Sequence, residues 1–129
     1  MNELEILMRA EAKKKAIEKS AKEEIQNAEY EKAREWKKDT LEKLSFLKGY
    51  GCEFDESGQS TDKIYITSGK QTIQIALACS HTDDIWRYHL DKPLHVNWHF
   101  YSISNDQGNY TLEQFVKALV GRGIVKMED

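Results

Sequence analysis

Residues 2–48 contain neither proline nor glycine and are built largely from Ala, Glu, Lys, Leu and Arg. Those are the strongest helix formers, so the stretch predicts one continuous helix about 70 Å long at 1.5 Å per residue. Glu5–Arg9, Glu11–Lys15 and Glu18–Lys22 are i,i+4 pairs with the acid toward the N-terminus, the favourable order. The apolar stripe is thin: Ile6, Ala10, Ile17, Ala21, Ile25 and Ala28 recur at steps of 3, 4 or 7. Alanine buries little area, so a lone helix of this kind gains little from packing. Three states fit it: a solvated helix, a self-associating coil or a segment that orders on a partner. Ile6, Ile17 and Ile25 are the expected oligomerisation residues, because they are large aliphatics otherwise left in water. Further along, Trp36, Thr40, Leu41, Leu44 and Leu47 share a face, so residues 36–48 are expected to dock on a folded body. The chain therefore divides into an extended charged helix, 1–35, and an α+β domain, 36–129.

The charge is nearly balanced. Residues 1–48 carry 12 Lys+Arg and 11 Asp+Glu, and residues 49–129 carry 7 and 11, which together give the net −3. Neither half is a polycation, which disfavours binding to duplex nucleic acid by counterion release. A weakly acidic body fits a protein partner better. Two cysteines are too few for a disulfide-stapled secreted domain. With no apolar run near 18 residues and no apolar leader, the expectation is a reducing cytoplasmic setting and no membrane.

After Gly49, expected at the helix C′ position, the pattern turns to strands. Tyr50, Cys52 and Phe54 alternate, and 55–62 reads as an acidic mobile loop. Lys63–Thr67 and Lys70–Ala78 flank Ser68-Gly69, which predicts a two-residue hairpin pairing 67 with 70 and 65 with 72. Ile64, Ile66, Ile73, Ile75 and Leu77 then share a core face. Ile85–Leu90 and Leu94–Ile103 are read as a second hairpin about Asp91-Lys92-Pro93. That register pairs 88 with 96 and 86 with 98, and places Trp86, Tyr88, Val96 and Trp98 inside. Residues 104–109 read as a loop. Thr111 and Gln114 form a capping-box pattern before a helix with the wide apolar stripe Leu112, Phe115, Val116, Leu119 and Val120. The expected fold class is α+β: a long N-terminal helix, an antiparallel meander of four to five strands with one face covered by helices, and a C-terminal helix.

In that register Arg87, His89, His95, Asn97, His99 and Tyr101 fall on the solvent face, with His89 across from His95. Such a face either shows ordinary polar alternation or reads a partner, and these six residues are the candidate binding set. His95 and His99 lie about 13 Å apart along a strand, too far to share a zinc, so no metal is expected. Cys79 and His81 lack a third group and an oxyanion hole, and no phosphate-, dinucleotide- or zinc-binding motif is present, so neither catalysis nor a cofactor is expected. The element order resembles that of double-stranded-RNA-binding domains, but Thr111–Val120 lacks their basic second helix. In size and style the chain resembles small viral or mobile-element accessory proteins. The functional expectation is a non-enzymatic inhibitor or adaptor that binds a larger protein, with homodimerisation through the helix. The alternative is a nucleic-acid-associated protein that uses the polar sheet face.

Overall fold

The Asn2 side chain caps the first helix by accepting from the Glu5 N–H at 2.7 Å, which satisfies one of the donors a helix start leaves free. From there α1 runs unbroken over Glu3–Leu44 in a computed structural model that describes residues 2–55, 60–101 and 103–127. A 3₁₀ turn, Ser45–Tyr50, follows. Seven strands come next: β1 (Glu53–Phe54), β2 (Lys63–Ser68), β3 (Gln71–Ala76), β4 (Cys79–Thr82), β5 (Ile85–Tyr88), β6 (Leu94–Phe100) and β7 (Ile103–Tyr110). Helix α2, Leu112–Gly121, follows β7 and carries the expected Thr111/Gln114 capping box. The result is an α+β fold with an antiparallel five-stranded sheet, ordered β1-β2-β3-β6-β7, and a separate hairpin, β4-β5.

One face of the sheet is the core. Ile64, Ile66, Ile73, Ile75, Val96 and Trp98 are buried there against Leu44 at the end of α1, Leu47 in the 3₁₀ turn, and Phe115 and Leu119 from α2. Trp36 and Leu41 pack on the same cluster, and Thr40 is buried, as the spacing of 36–47 implies. Trp98 is 2% exposed, with its ring 5.7 Å from Phe115 and 5.9 Å from Tyr110. The Arg122 guanidinium covers it at 4.2 Å while its Nη2 donates to Asp106 at 2.6 Å. The indole N–H of Trp98 is buried and has no partner among the described residues.

Several expectations need correction. Left-handed backbone falls at Gly51 (φ +88°), not Gly49, because the 3₁₀ turn extends the helical path. In the first hairpin Thr67 pairs with Thr72 and Ile66 with Ile73, so the turn is Gly69-Lys70. Gly69 has φ +59°, and glycine is favoured at the first central position of a type II′ turn. The shift is two residues, so the isoleucines keep their face. The acidic loop centres on 56–59, outside the described residues.

The second hairpin is the larger correction. β5 pairs with β4, Trp86 opposite His81, through an Asp83-Asp84 turn in which both residues have positive φ. β6 instead lies between β3 and β7, with Trp98 opposite Ile73 on one side and Asp106 on the other. Trp86 is consequently 44% exposed, with its ring packed at a tilt against His81 at 4.6 Å. Residues 103–110 form a full edge strand where a loop was expected.

The β4-β5 hairpin leaves the sheet and lies along α1, and the helix closes its open edge. The Trp86 N–H donates to Gln26 Oε1 at 2.8 Å, and Gln26 Nε2 donates to the Trp86 carbonyl at 3.2 Å. One rung on, the Tyr88 N–H donates to Glu29 Oε2 at 3.0 Å, and Lys32 Nζ donates to the Tyr88 carbonyl at 3.4 Å. Lys32 and Arg87 flank Glu29 at 3.0 and 3.7 Å, and Lys22 reaches Asp84 at 3.6 Å. Contact with the body therefore begins ahead of residue 36, at Lys22, and residues 3–21 extend beyond it as a largely exposed arm.

Burial pushes the Glu29 carboxyl up, but the Tyr88 N–H together with Lys32 and Arg87 outweighs it and holds it below the ordinary 4.5. A lowered carboxylate pKa stabilises the fold above the unfolded-state value, and that contribution is lost as pH falls through the folded-state value. Glu29→Gln is expected to lower stability by roughly 1–3 kcal/mol at pH 7. In melting curves from pH 7 to pH 3, the gap to wild type should be full at pH 7 and close below about 4.5; a gap that is constant with pH would contradict this account. Trp98→Ala should cost about 3–5 kcal/mol. Trp98→Phe should cost far less, because it also removes the orphaned N–H; denaturant titration of the two variants gives the comparison.

Candidate functional site

The face of the sheet opposite the core carries no covering element among the described residues. Strand alternation puts side chains on it in three rows. The first runs Lys63, Ala76, His95 and Asn109; the second Tyr65, Gln74, Asn97 and Gln107; the third begins Glu53, Thr67, Thr72 and His99. Neighbours within a row lie about 5 Å apart. His95, Asn97 and His99 are half-buried, as are Tyr65, Thr67, Thr72 and Gln74. His95 Nδ1 sits 3.4 Å from Asn109 Oδ1, a long contact. The surface is made of amides, hydroxyls and imidazoles, with Lys63 as its cation and Glu53 as the carboxylate at its β1 edge.

At the end of the third row the β2–β3 and β6–β7 turns meet. Tyr101 has φ +53° and its N–H donates to the Lys70 carbonyl at 3.1 Å. Its ring lies 4.5 Å from Phe100 and 5.0 Å from Lys70 Nζ. Phe100, Tyr101 and Ile103 are 39, 56 and 67% exposed. A non-glycine residue in the left-handed region is uncommon and is held there only where its surroundings favour it. The corner thus adds an apolar, aromatic end to a polar face.

The six predicted binding residues separate into two groups. His95, Asn97, His99 and Tyr101 are brought together on β6 and its turn. Arg87 and His89 are not, because β5 never enters the large sheet: Arg87 faces Glu29, and His89 Nε2 lies 2.9 Å from Ser80 Oγ. His89 therefore does not oppose His95, whose neighbours across the sheet are Ala76 and Asn109. Tyr65, Thr67, Thr72 and Gln74 were visible in the alternation of β2 and β3 but could be joined to His99 only once β3 was known to pair with β6. Gln107 and Asn109 gave no signal, since Ser-Asn-Asp-Gln-Gly-Asn is loop composition.

Ile6, Ile17 and Ile25 lie on α1, 52, 62 and 38% exposed. No cluster of three or more metal-ligating side chains occurs among the described residues. Burial pushes the Cys52 thiol up, and desolvation with the nearby Asp62 charge pushes the Cys79 thiol up, the reverse of what an activated nucleophile needs. Among the described residues no helix is long and apolar enough to cross a membrane. Comparison with protein families, curated proteins and solved structures found no match.

Because His95 and His99 lie on the face that the core does not use, His95→Ala and His99→Ala are each expected to change stability by no more than about 0.5 kcal/mol. Chemical denaturation is the check, and a loss several times larger in either of them would mean that the face is part of the stabilising structure.

Proposed function

We propose that this protein is a small non-enzymatic binding protein that docks a larger protein partner on the open face of its sheet, as an inhibitor or adaptor. The observation that carries the reading is a rigid, uncovered sheet face lined by His95, Asn97 and His99 and ending in the exposed Phe100 and Tyr101. Aromatic side chains concentrate binding energy when they are desolvated, and amides and imidazoles supply directional hydrogen bonds around them. A sheet holds these groups without the ordering cost of a loop. Lysines at the face are few, Lys63 and Lys70, which favours a protein partner over a phosphate backbone needing several contacts. Two copies pair through Ile6, Ile17 and Ile25, leaving both sheet faces free.

Affinity capture from the native host, with mass spectrometry, identifies the partner; calorimetry with purified components then tests the surface. The double substitution His99→Ala and Tyr101→Ala is expected to weaken binding at least tenfold, about 1.4 kcal/mol, with wild-type melting retained. Unchanged affinity in that variant, alongside loss on substituting residues of 1–35, moves the binding surface to the helix. A mobility shift with duplex or single-stranded nucleic acid that persists at moderate salt favours the nucleic-acid reading instead.

A further inference from the structure

Helix α1 has two faces with different uses. Gln26, Glu29, Ala33, Trp36, Thr40 and Leu44 line the face on the body. Ile6, Ala10, Ile17, Ala21, Ile25 and Ala28 lie roughly a third of a turn away at 3.6 residues per turn, and every one of them is exposed. The stripe is therefore left uncovered among the described residues, even beside the docked stretch.

Charge along the helix is segregated. Residues 12–22 hold Lys13, Lys14, Lys15, Lys19 and Lys22 against Glu18 alone. Residues 23–31 hold Glu23, Glu24, Glu29 and Glu31 and no Lys or Arg. Parallel pairing in register sets each block against its own charge. Antiparallel pairing centred on Ala21 sets 23–31 of one copy against 11–19 of the other. It also places Ile17 opposite Ile25, and Lys13 within about 3 Å, along the axis, of Glu31 on the same flank. Lys13, Lys14 and Glu24 have no ion-pair partner among the described residues, and all three are exposed, so they are available for such contacts.

We propose that the occupant of this stripe is a second copy of the chain, running antiparallel and centred near Ala21, with the basic block of each helix against the acidic block of the other. The inference rests on the self-association reading and adds its direction and register. A two-fold axis at Ala21 puts the two bodies at opposite ends of the helix pair, each about a third of a turn from the seam.

Cysteine cross-linking tests it in a Cys79→Ser background, which removes the exposed native thiol. Ile17→Cys and Ile25→Cys chains are incubated separately and mixed, with oxidised glutathione. In the antiparallel pair, like positions lie roughly 12 Å apart along the axis, beyond disulfide reach, whereas 17 meets 25. The mixture should therefore give several-fold more of a species at twice the 15.0 kDa chain mass than either variant alone. Ala21→Cys alone should cross-link efficiently. Cross-linking of Ile17→Cys by itself as readily as in the mixture means a parallel pair and overturns the direction while leaving self-association intact. No cross-linking of Ala21→Cys, together with a monomer mass by light scattering, overturns self-association as well. A dimer mass without cross-linking at Ala21 places the dimer contact elsewhere and overturns this inference.

Discussion

Four hydrogen bonds between side chains of α1 and the backbone of β5 hold the molecule in its arrangement. A strand edge presents unpaired N–H and C=O groups, which must find water or a partner. Here Gln26 answers both groups of Trp86, and Glu29 with Lys32 answers both groups of Tyr88. The helix thus behaves as one more strand toward the hairpin, using side chains where a strand would use its main chain. Because Glu29 also meets Arg87, the same few residues fix helix direction, hairpin position and the charge balance of a nearly buried carboxylate.

That arrangement explains how the long helix is divided in use. Its last third joins the core through Trp36, Leu41 and Leu44. Its middle guards β5, and its first part reaches outward. On the opposite side of the fold, no element among the described residues covers the other face of the sheet, because both helices pack on the core face. The binding reading and the pairing reading therefore use separate surfaces, and a substitution in one should leave the other intact.

Much of this was readable in residue order, and the failures have physical causes. The helix, the isoleucine face of β2 and β3 and the Thr111 cap follow from local propensity and period, which the structure respects. Trp98 was placed inside correctly, but with the wrong neighbour. Tyr88 and Trp86 were paired with β6 because alternation identifies the faces of a strand and not which strand lies beside it. Cys79–Thr82 falls past the strand that the pattern ends at Ala78; an Asp-Asp turn with both residues at positive φ lets it pair with β5. β7 was unreadable for a different reason: its loop-like residues are held extended by hydrogen bonding to β6. The candidate surface was correspondingly half visible, with His95, Asn97 and His99 recognised and Gln107 and Asn109 missed.

The helix-for-strand substitution also sets a limit on length. Outward-facing groups on a strand repeat every two residues, about 6.6 Å, while successive side chains on one face of a helix three or four apart rise about 4.5 or 6 Å. The two ladders are incommensurate, so they match over a short overlap and then drift out of step. Gln26 and the Glu29–Lys32 pair cover two rungs, and β5 is only four residues long, so its two outward-facing residues are both served. A hairpin extended by another rung would carry a main-chain pair that no side chain of α1 is spaced to meet, leaving an edge open to any strand that passes. The shortness of β4 and β5 is thus a dimensional requirement of the way they are held.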